Sequence, residues 1–223
     1  VTRRDPARTR RKLLDAAAQL FAAHGFHGTT AREIAERGGV NLAAGHYHFG
    51  SKKDLYLEVL RAQFLHIQTT MAARGALPPP PDAKRLSRAQ ALEALRSRVQ
   101  VMLDLMLGPP IGLHGTLMQR EMTDPSEALP VIVDEFVRPQ MDELCRLIRC
   151  LAPKLDDESV ERCARSIVGQ VVFYRFCMPA ALMLMGWKRY PAGFAREMAE
   201  HITTFSLGGI AAVRPRRRMR GAH

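Results

Sequence analysis

The chain has 223 residues and a mass of 24.9 kDa, enough for one good-sized domain or two small ones sharing a core. With 47 % apolar and 25 % charged residues, it is neither a largely disordered chain nor a miniprotein held by disulfides. A formal charge of +11, with a pI near 10.2, points to a polyanionic partner.

Where the charge sits is more informative than its total. Residues 1–64 hold 11 basic and 6 acidic groups, residues 65–213 hold 17 and 16, and the last ten residues hold five Arg and no acid. The excess therefore lies at the two ends, and the large middle is nearly neutral.

In chain order, nearly every segment has helical periodicity. Leu13, Ala16, Ala17, Leu20, Phe21 and His24 lie on one face of a first helix, which Gly25 ends. Thr30-x-x-Glu33 is a capping box opening a short second helix, with Ile34 and Ala35 inward and Gly38-Gly39 as its stop. Asn41, the only Asn in the chain, is placed to cap a third helix. After Gly50, Ser51 to Asp54 starts a fourth helix that runs to about Ala73. Pro78 to Pro81 then make a stiff extended connection.

Further on, Ser87-Arg88-Ala89-Gln90 opens a helix carrying Leu92, Leu95, Val99, Met102, Leu103 and Met106, and Gly108-Pro109-Pro110 ends it. Helices are expected over 113–122, over 126–151 with a late start or kink at Pro130 and Pro139, over 157–178 behind Asp156, and over about 191–207. The fold class is all-α, with about nine helices: an N-terminal three-helix helix-turn-helix domain, then a helical ligand-binding and dimerisation domain.

Cys145, Cys150, Cys163 and Cys177 form no CxxC pair and no signal peptide opens the chain, so they read as reduced, buried thiols in a cytoplasmic protein. The apolar stretch Ser166–Trp187 holds Arg175 near its middle and Pro179, which disfavours a membrane span and favours a core or interface helix. His24, His27, His46 and His48 have no spacing suited to a metal, and no cofactor is called for. No phosphate loop, HExxH, GxSxG or close carboxylate pair is present, so the chain does not read as an enzyme.

Three short helices within about 45 residues, the second and third joined by a Gly-containing turn, describe a helix-turn-helix. The third is poor in apolar residues, reading Leu42-Ala43-Ala44-Gly45-His46, and such small side chains let a helix approach base edges in the major groove. Lys52 and Lys53 at a helix N-terminus oppose its dipole, which a phosphate partner explains.

Residues 9–60 resemble the TetR family of transcriptional regulators. The resemblance is carried by Thr9 to Ala17, Phe21, Gly25 to Thr30, Glu33-Ile34-Ala35, Gly38 to Asn41, Tyr47-His48-Phe49, Ser51-Lys52 and Leu55. Asn41 to Ala44, Tyr47 to Lys52, Arg120 to Ser126 and Val137-Arg138-Pro139 are similar to a branch of that family with a CerR-like C-terminal region. The resemblance implies a homodimer on a double-stranded palindromic operator, with recognition helices about 34–36 Å apart. It also implies a repressor released by a small-molecule effector, a dimer bundle built from the last two long helices, and no membrane partner. Domain boundaries follow at 1–55 for DNA binding, 56–213 for ligand binding and dimerisation, and 214–223 for a basic, disordered tail.

Carried over by position, Arg32, Leu42, Ala43, Ala44 and His46 face bases, while Thr30, Asn41, Tyr47, His48 and Lys52 face phosphates. Met102, Met106, Met118, Phe173 and Arg175 are the candidates for lining a ligand pocket; Arg175 could instead pair with an acid across a dimer. Gly45 departs from the family, which has an apolar side chain there, so the third helix is expected to order fully only on DNA. The alternative reading is an unspecific basic nucleic-acid-binding protein, which explains the charge but not the neutral middle.

Overall fold

The computed structural model describes residues 5–75, 86–107 and 113–213, without the side chains of 44–47, 113 and 114. The proline connection, the Gly108–Pro110 stop and the basic tail lie outside the described residues. Within them the protein is α-helical, with no strand. Two compact units form: the described residues of 1–67 with those of 110–136, and those of 68–109 with those of 137–223. The division expected near residue 55 is one of function; the units are defined by packing, and they group residues 113–136 with the N-terminal helices.

In the first unit, α1 (Pro6–His24) starts earlier than its apolar stripe suggests. Asp5 accepts from the Ala7 N–H at 3.0 Å, and Pro6 tolerates the first turn because its missing N–H has no partner there anyway. Leu13, Ala16, Ala17, Leu20 and Phe21 are buried, and Gly25 ends the helix at φ 75°, a conformation that favours glycine. α2 (Ala31–Gly38) carries both halves of the expected capping box and ends on Gly39 in the left-handed region, φ 62°. α3 (Leu42–Phe49) and α4 (Lys52–Ala73) follow.

The centre of this unit is aromatic. Tyr56 lies edge-on to Phe21 at 4.8 Å between ring centroids and 5.1 Å from Phe26. α6 (Leu113–Thr123) packs on α1. The helix expected over 126–151 is divided: α7 (Leu129–Ile132) leads into a π-helical turn, Val133–Val137, and α8 (Arg138–Leu151) continues. Pro130 and Pro139 each occupy a first-turn position, as a late start requires.

The second unit surrounds an aliphatic core with α5 (Arg88–Leu107), α8, α9 (Asp157–Phe176) and α11 (Phe194–Ala212). Leu95, Leu103, Leu147, Ile148, Val160 and Ile167 are among its buried residues. Arg98, 2 % exposed, donates to Glu143 at 3.0 Å and to Gln140, tying α5 to α8. Burial pulls its guanidinium below its ordinary pKa, and Glu143 opposes that shift.

One short helix was not anticipated. α9 stops at Phe176, the axis turns by 77°, and α10 (Met178–Met185) follows. That break corrects the reading of the cysteines. Cys145 and Cys163 are buried and Cys150 is half-buried, but Cys177 is the turn residue and is exposed. No single helix among the described residues is long and apolar enough to cross a membrane.

Candidate nucleic-acid interface

α2 and α3 are joined by Gly39, Val40 and Asn41, and each is capped by a residue of its own. Thr30 Oγ1 accepts from the Glu33 N–H at 3.2 Å and donates to the Glu33 carboxylate at 2.8 Å, while the Thr30 N–H donates to the same carboxylate oxygen at 2.8 Å. Those Thr30 hydrogen bonds, the backbone one first, hold the Glu33 carboxyl below its ordinary pKa. Asn41 Oδ1 accepts from the Ala43 N–H at 2.6 Å, the capping role its position suggests.

α3 begins at the surface. Leu42 is 42 % exposed and Ala43 is exposed, whereas Phe49 at the other end is buried. Leu42 also lines a small apolar pocket with Leu13, Ala31, Ile34, Phe49 and Leu55, so its side chain is shared between the core of the head and the surface, and its exposed part is available to thymine methyl groups and base edges. Arg32 on α2 is also exposed, its Nε donating to Glu36 at 2.9 Å, and this bond raises the guanidinium pKa. Among the base-facing candidates, then, Arg32, Leu42 and Ala43 are surface residues, and the side chains of Ala44 and His46 are outside the described residues.

The phosphate-facing candidates divide. Thr30 and Asn41 are exposed while capping their helices. Half-buried His48 lies 6.3 Å from the Phe49 ring, and the Tyr47 side chain is outside the described residues. Lys52 is turned inward: its ammonium donates to the carbonyls of Phe26 at 3.0 Å and Thr29 at 3.1 Å, 4.1 Å from the Phe26 ring centroid. Two of its three N–H donors therefore secure the α1–α2 turn.

Several residues that hold the head were not singled out from the sequence. Arg120, on α6, donates from Nε to the Ala22 carbonyl at 2.7 Å and from Nη2 to the Ala23 carbonyl, closing the C-terminal end of α1. Its neighbour Glu121 is buried, accepting from Tyr56 Oη at 2.9 Å and from the Ser126 N–H and hydroxyl at 2.9 and 3.0 Å. Burial, followed by the Glu121 charge and hydrogen bond, pushes the Tyr56 hydroxyl pKa well up. The only sequence signal was the Arg120–Ser126 motif; contacts across 65 to 98 residues leave no local pattern.

Of the ligand-lining candidates, Met118 lies in the first unit and the other four in the second. Met102 and Met106 pack on the apolar core. Phe173, 46 % exposed, lines an open groove with Gln170, His201, Ile202 and Phe205, whereas Arg175 is buried and burial lowers its pKa. No cluster of His, Cys, Asp or Glu that could hold a metal occurs among the described residues.

Residues 13–59 match the bacterial regulatory proteins of the tetR family, and residues 91–210 match the C-terminal domain of the HTH-type transcriptional dual regulator CecR. The chain belongs to the TetR family. Its C-terminal region is CecR-like, not CerR-like as the sequence resemblance had it. The dual regulator CecR of Shigella flexneri is 28 % identical over 188 residues, spanning 81 % of this chain and 82 % of that protein. Among solved structures, a regulator from Pseudomonas aeruginosa PAO1 shares the fold at TM-score 0.65, with 19 % identity over 95 % of this chain and 94 % of that one. AibR, solved with isovaleryl coenzyme A and operator DNA, does so at TM-score 0.63, with 17 % identity over 88 % and 97 %. As a TetR-family protein, this chain is a sequence-specific DNA-binding transcriptional regulator and not an enzyme.

Proposed function

We propose that this TetR-family regulator is a cytoplasmic homodimeric repressor that leaves a palindromic operator when a small molecule binds within residues 56–213. The accessible start of α3 carries the reading: Ala43 and part of Leu42 are open to solvent behind an Asn41 cap, on a helix fixed at its other end by Phe49. In this reading Arg32, Leu42, Ala43, Ala44 and His46 meet base edges, and Thr30, Asn41, Tyr47 and His48 meet phosphates. Lys52 acts one step back, holding the turn that presents α2. Residues 1–55 do the DNA binding and residues 56–213 the ligand binding and dimerisation.

The dimer face is α9 with α11. Phe173 and Phe205, 46 % and 65 % exposed, project from these two helices into the groove they share. Gly169, Gly208 and Gly209 on the same helices have open space where a side chain would stand, so a second helix can come close. A ligand can release DNA only by differing in affinity for the two states of the dimer. AibR, solved with an acyl-coenzyme A and operator DNA together, supports a ligand site and a DNA site in one chain of this fold.

Sedimentation of the full chain checks the dimer, with Phe205→Glu expected to yield monomer. A monomeric parent protein would contradict it. An unspecific basic binder, the competing reading, predicts equal affinity for any duplex; the near-neutral middle of the chain favours the specific regulator.

A further inference from the structure

We propose that a run of linked charged side chains, Arg10–Glu58–Arg61–Glu135, positions the recognition helix from the place where the chain passes into the second unit. The proposal rests on α3 being the helix that reads DNA. Phe49 is its last residue, and the Arg10 guanidinium lies 5.1 Å from the Phe49 ring centroid. That same guanidinium pairs with Glu58 on α4. Glu58 also accepts from Arg61 Nη1 at 3.3 Å, and Arg61 reaches both oxygens of Glu135 through Nε and Nη2, at 3.0 and 2.8 Å.

Glu135 belongs to the π-helical turn Val133–Val137. Its neighbour Phe136 is the last residue of the first unit, is buried, and stacks on Phe64 of α4 at 3.9 Å with the rings 3° from parallel. The outer end of the run is thus anchored at a junction. A π turn inside an otherwise regular helix is a frequent mark of a functional position.

An isolated exposed ion pair contributes little, because two long side chains must be ordered to make it. Here Arg10, Glu58 and Arg61 are each shared between two contacts, and Glu135 closes the run with two hydrogen bonds to Arg61. The bidentate fork orients Arg61, Arg61 orients Glu58, and Glu58 holds Arg10 against the ring. Hydrogen bonding to Arg61 also keeps the Glu135 carboxyl below its ordinary pKa, so the outer link stays charged. A displacement of the turn withdraws Glu135 and loosens Arg10, and with it the end of α3.

The test uses the full chain and a duplex that the parent protein selects from a random library, with binding read by fluorescence anisotropy. Arg10→Met and Glu135→Gln are each expected to weaken binding about two- to fivefold, the range of an exposed ion pair. The double variant should bind no worse than the weaker single one. If the two losses multiply, or if Glu135→Gln has no effect, the run is a set of separate contacts and the proposal fails.

Glu58→Gln distinguishes positioning from direct phosphate contact. Positioning predicts weaker binding; tighter binding, with a steeper salt dependence, would mean that Glu58 only restrains a phosphate-seeking Arg10 and would overturn it. Hydrogen exchange supplies a readout without DNA. In Glu135→Gln the backbone amides of residues 46–49 should exchange faster while the unfolding midpoint holds. A fall in the midpoint that accounts for the faster exchange would reduce the pair to general stability and overturn the proposal. A parent protein that selects no duplex would instead overturn the DNA-reading role of α3.

Discussion

The first unit sets the short helices α2 and α3 beside the longer α1 and α4 around a small aromatic centre and fastens them with polar contacts over long sequence distances. The second packs helices of 14 to 20 residues around an aliphatic core, with Arg98 as a buried charged tie. The difference follows from what each must leave exposed. A helix that enters a groove cannot bury its reading face, so α2 and α3 have little apolar area to contribute. Caps at Thr30, Asn41 and Ser51, and the side chains of Arg10, Lys52, Arg120 and Glu121, supply the order that burial does not. The second unit has no such constraint on its inner faces, and ordinary core packing suffices.

Substitutions should separate the two regimes by size. In the second unit, Leu147→Ala removes a fully buried side chain and should cost about 2–5 kcal/mol in denaturant unfolding. A loss under about 1 kcal/mol would mean that the site collapses around the gap. In the first unit, Glu121→Ala leaves the Tyr56 hydroxyl and the Ser126 donors without their acceptor, a loss of about 1–3 kcal/mol. Tyr56→Phe should be milder than Glu121→Ala, since it costs one oxygen of the Glu121 carboxylate its donor and leaves both Ser126 bonds to the other in place. Thr30→Ala removes a single cap and should cost about 1 kcal/mol, read as faster exchange in α2. Gly45→Ala in α3 runs the other way, stabilising the helix by about 0.5–1 kcal/mol. Faster α3 exchange in that variant would show that the position needs glycine.

Acid should also tell the units apart. Glu33 and Glu135, both in the first unit, have folded pKa values below their unfolded ones. Their contribution is therefore complete above the ordinary carboxylate pKa of about 4.3 and fades as pH falls through the lowered folded values. Exchange protection in α2 and at the π turn should drop in that window, before the aliphatic core opens. Simultaneous loss in both units would break the comparison.

Much of this was legible in the sequence. The capping box at Thr30, the cap at Asn41, the stop at Gly25 and the core stripe of α1 are local patterns whose physics is complete within a few residues. The division of 126–151 into α7, a π turn and α8 was only hinted at by its prolines, because an extra residue in a helical turn has no compositional signature. Pro179 and the expected helix end at 178 marked the break near Cys177, but α10 and its 77° turn were not legible, because hydropathy runs smoothly through the break. Lys52 shows the limit at the site itself. A lysine at a helix start suggests a phosphate, yet two carbonyls from the preceding turn lie nearer and hold it. Arg10, Arg61 and Glu135 could not be paired by reading alone, since 74 residues separate the last two.

Competition binding tests the central claim most directly, that an exposed α3 reads sequence. The full chain is titrated onto the duplex it selects from a random library, against a scrambled duplex of equal length, at two salt concentrations. Preference for the selected duplex of about a thousandfold or more, persisting at the higher salt, is the predicted result. Equal affinity for both duplexes, falling together as salt rises, would contradict it and leave only a basic surface that binds any polyanion.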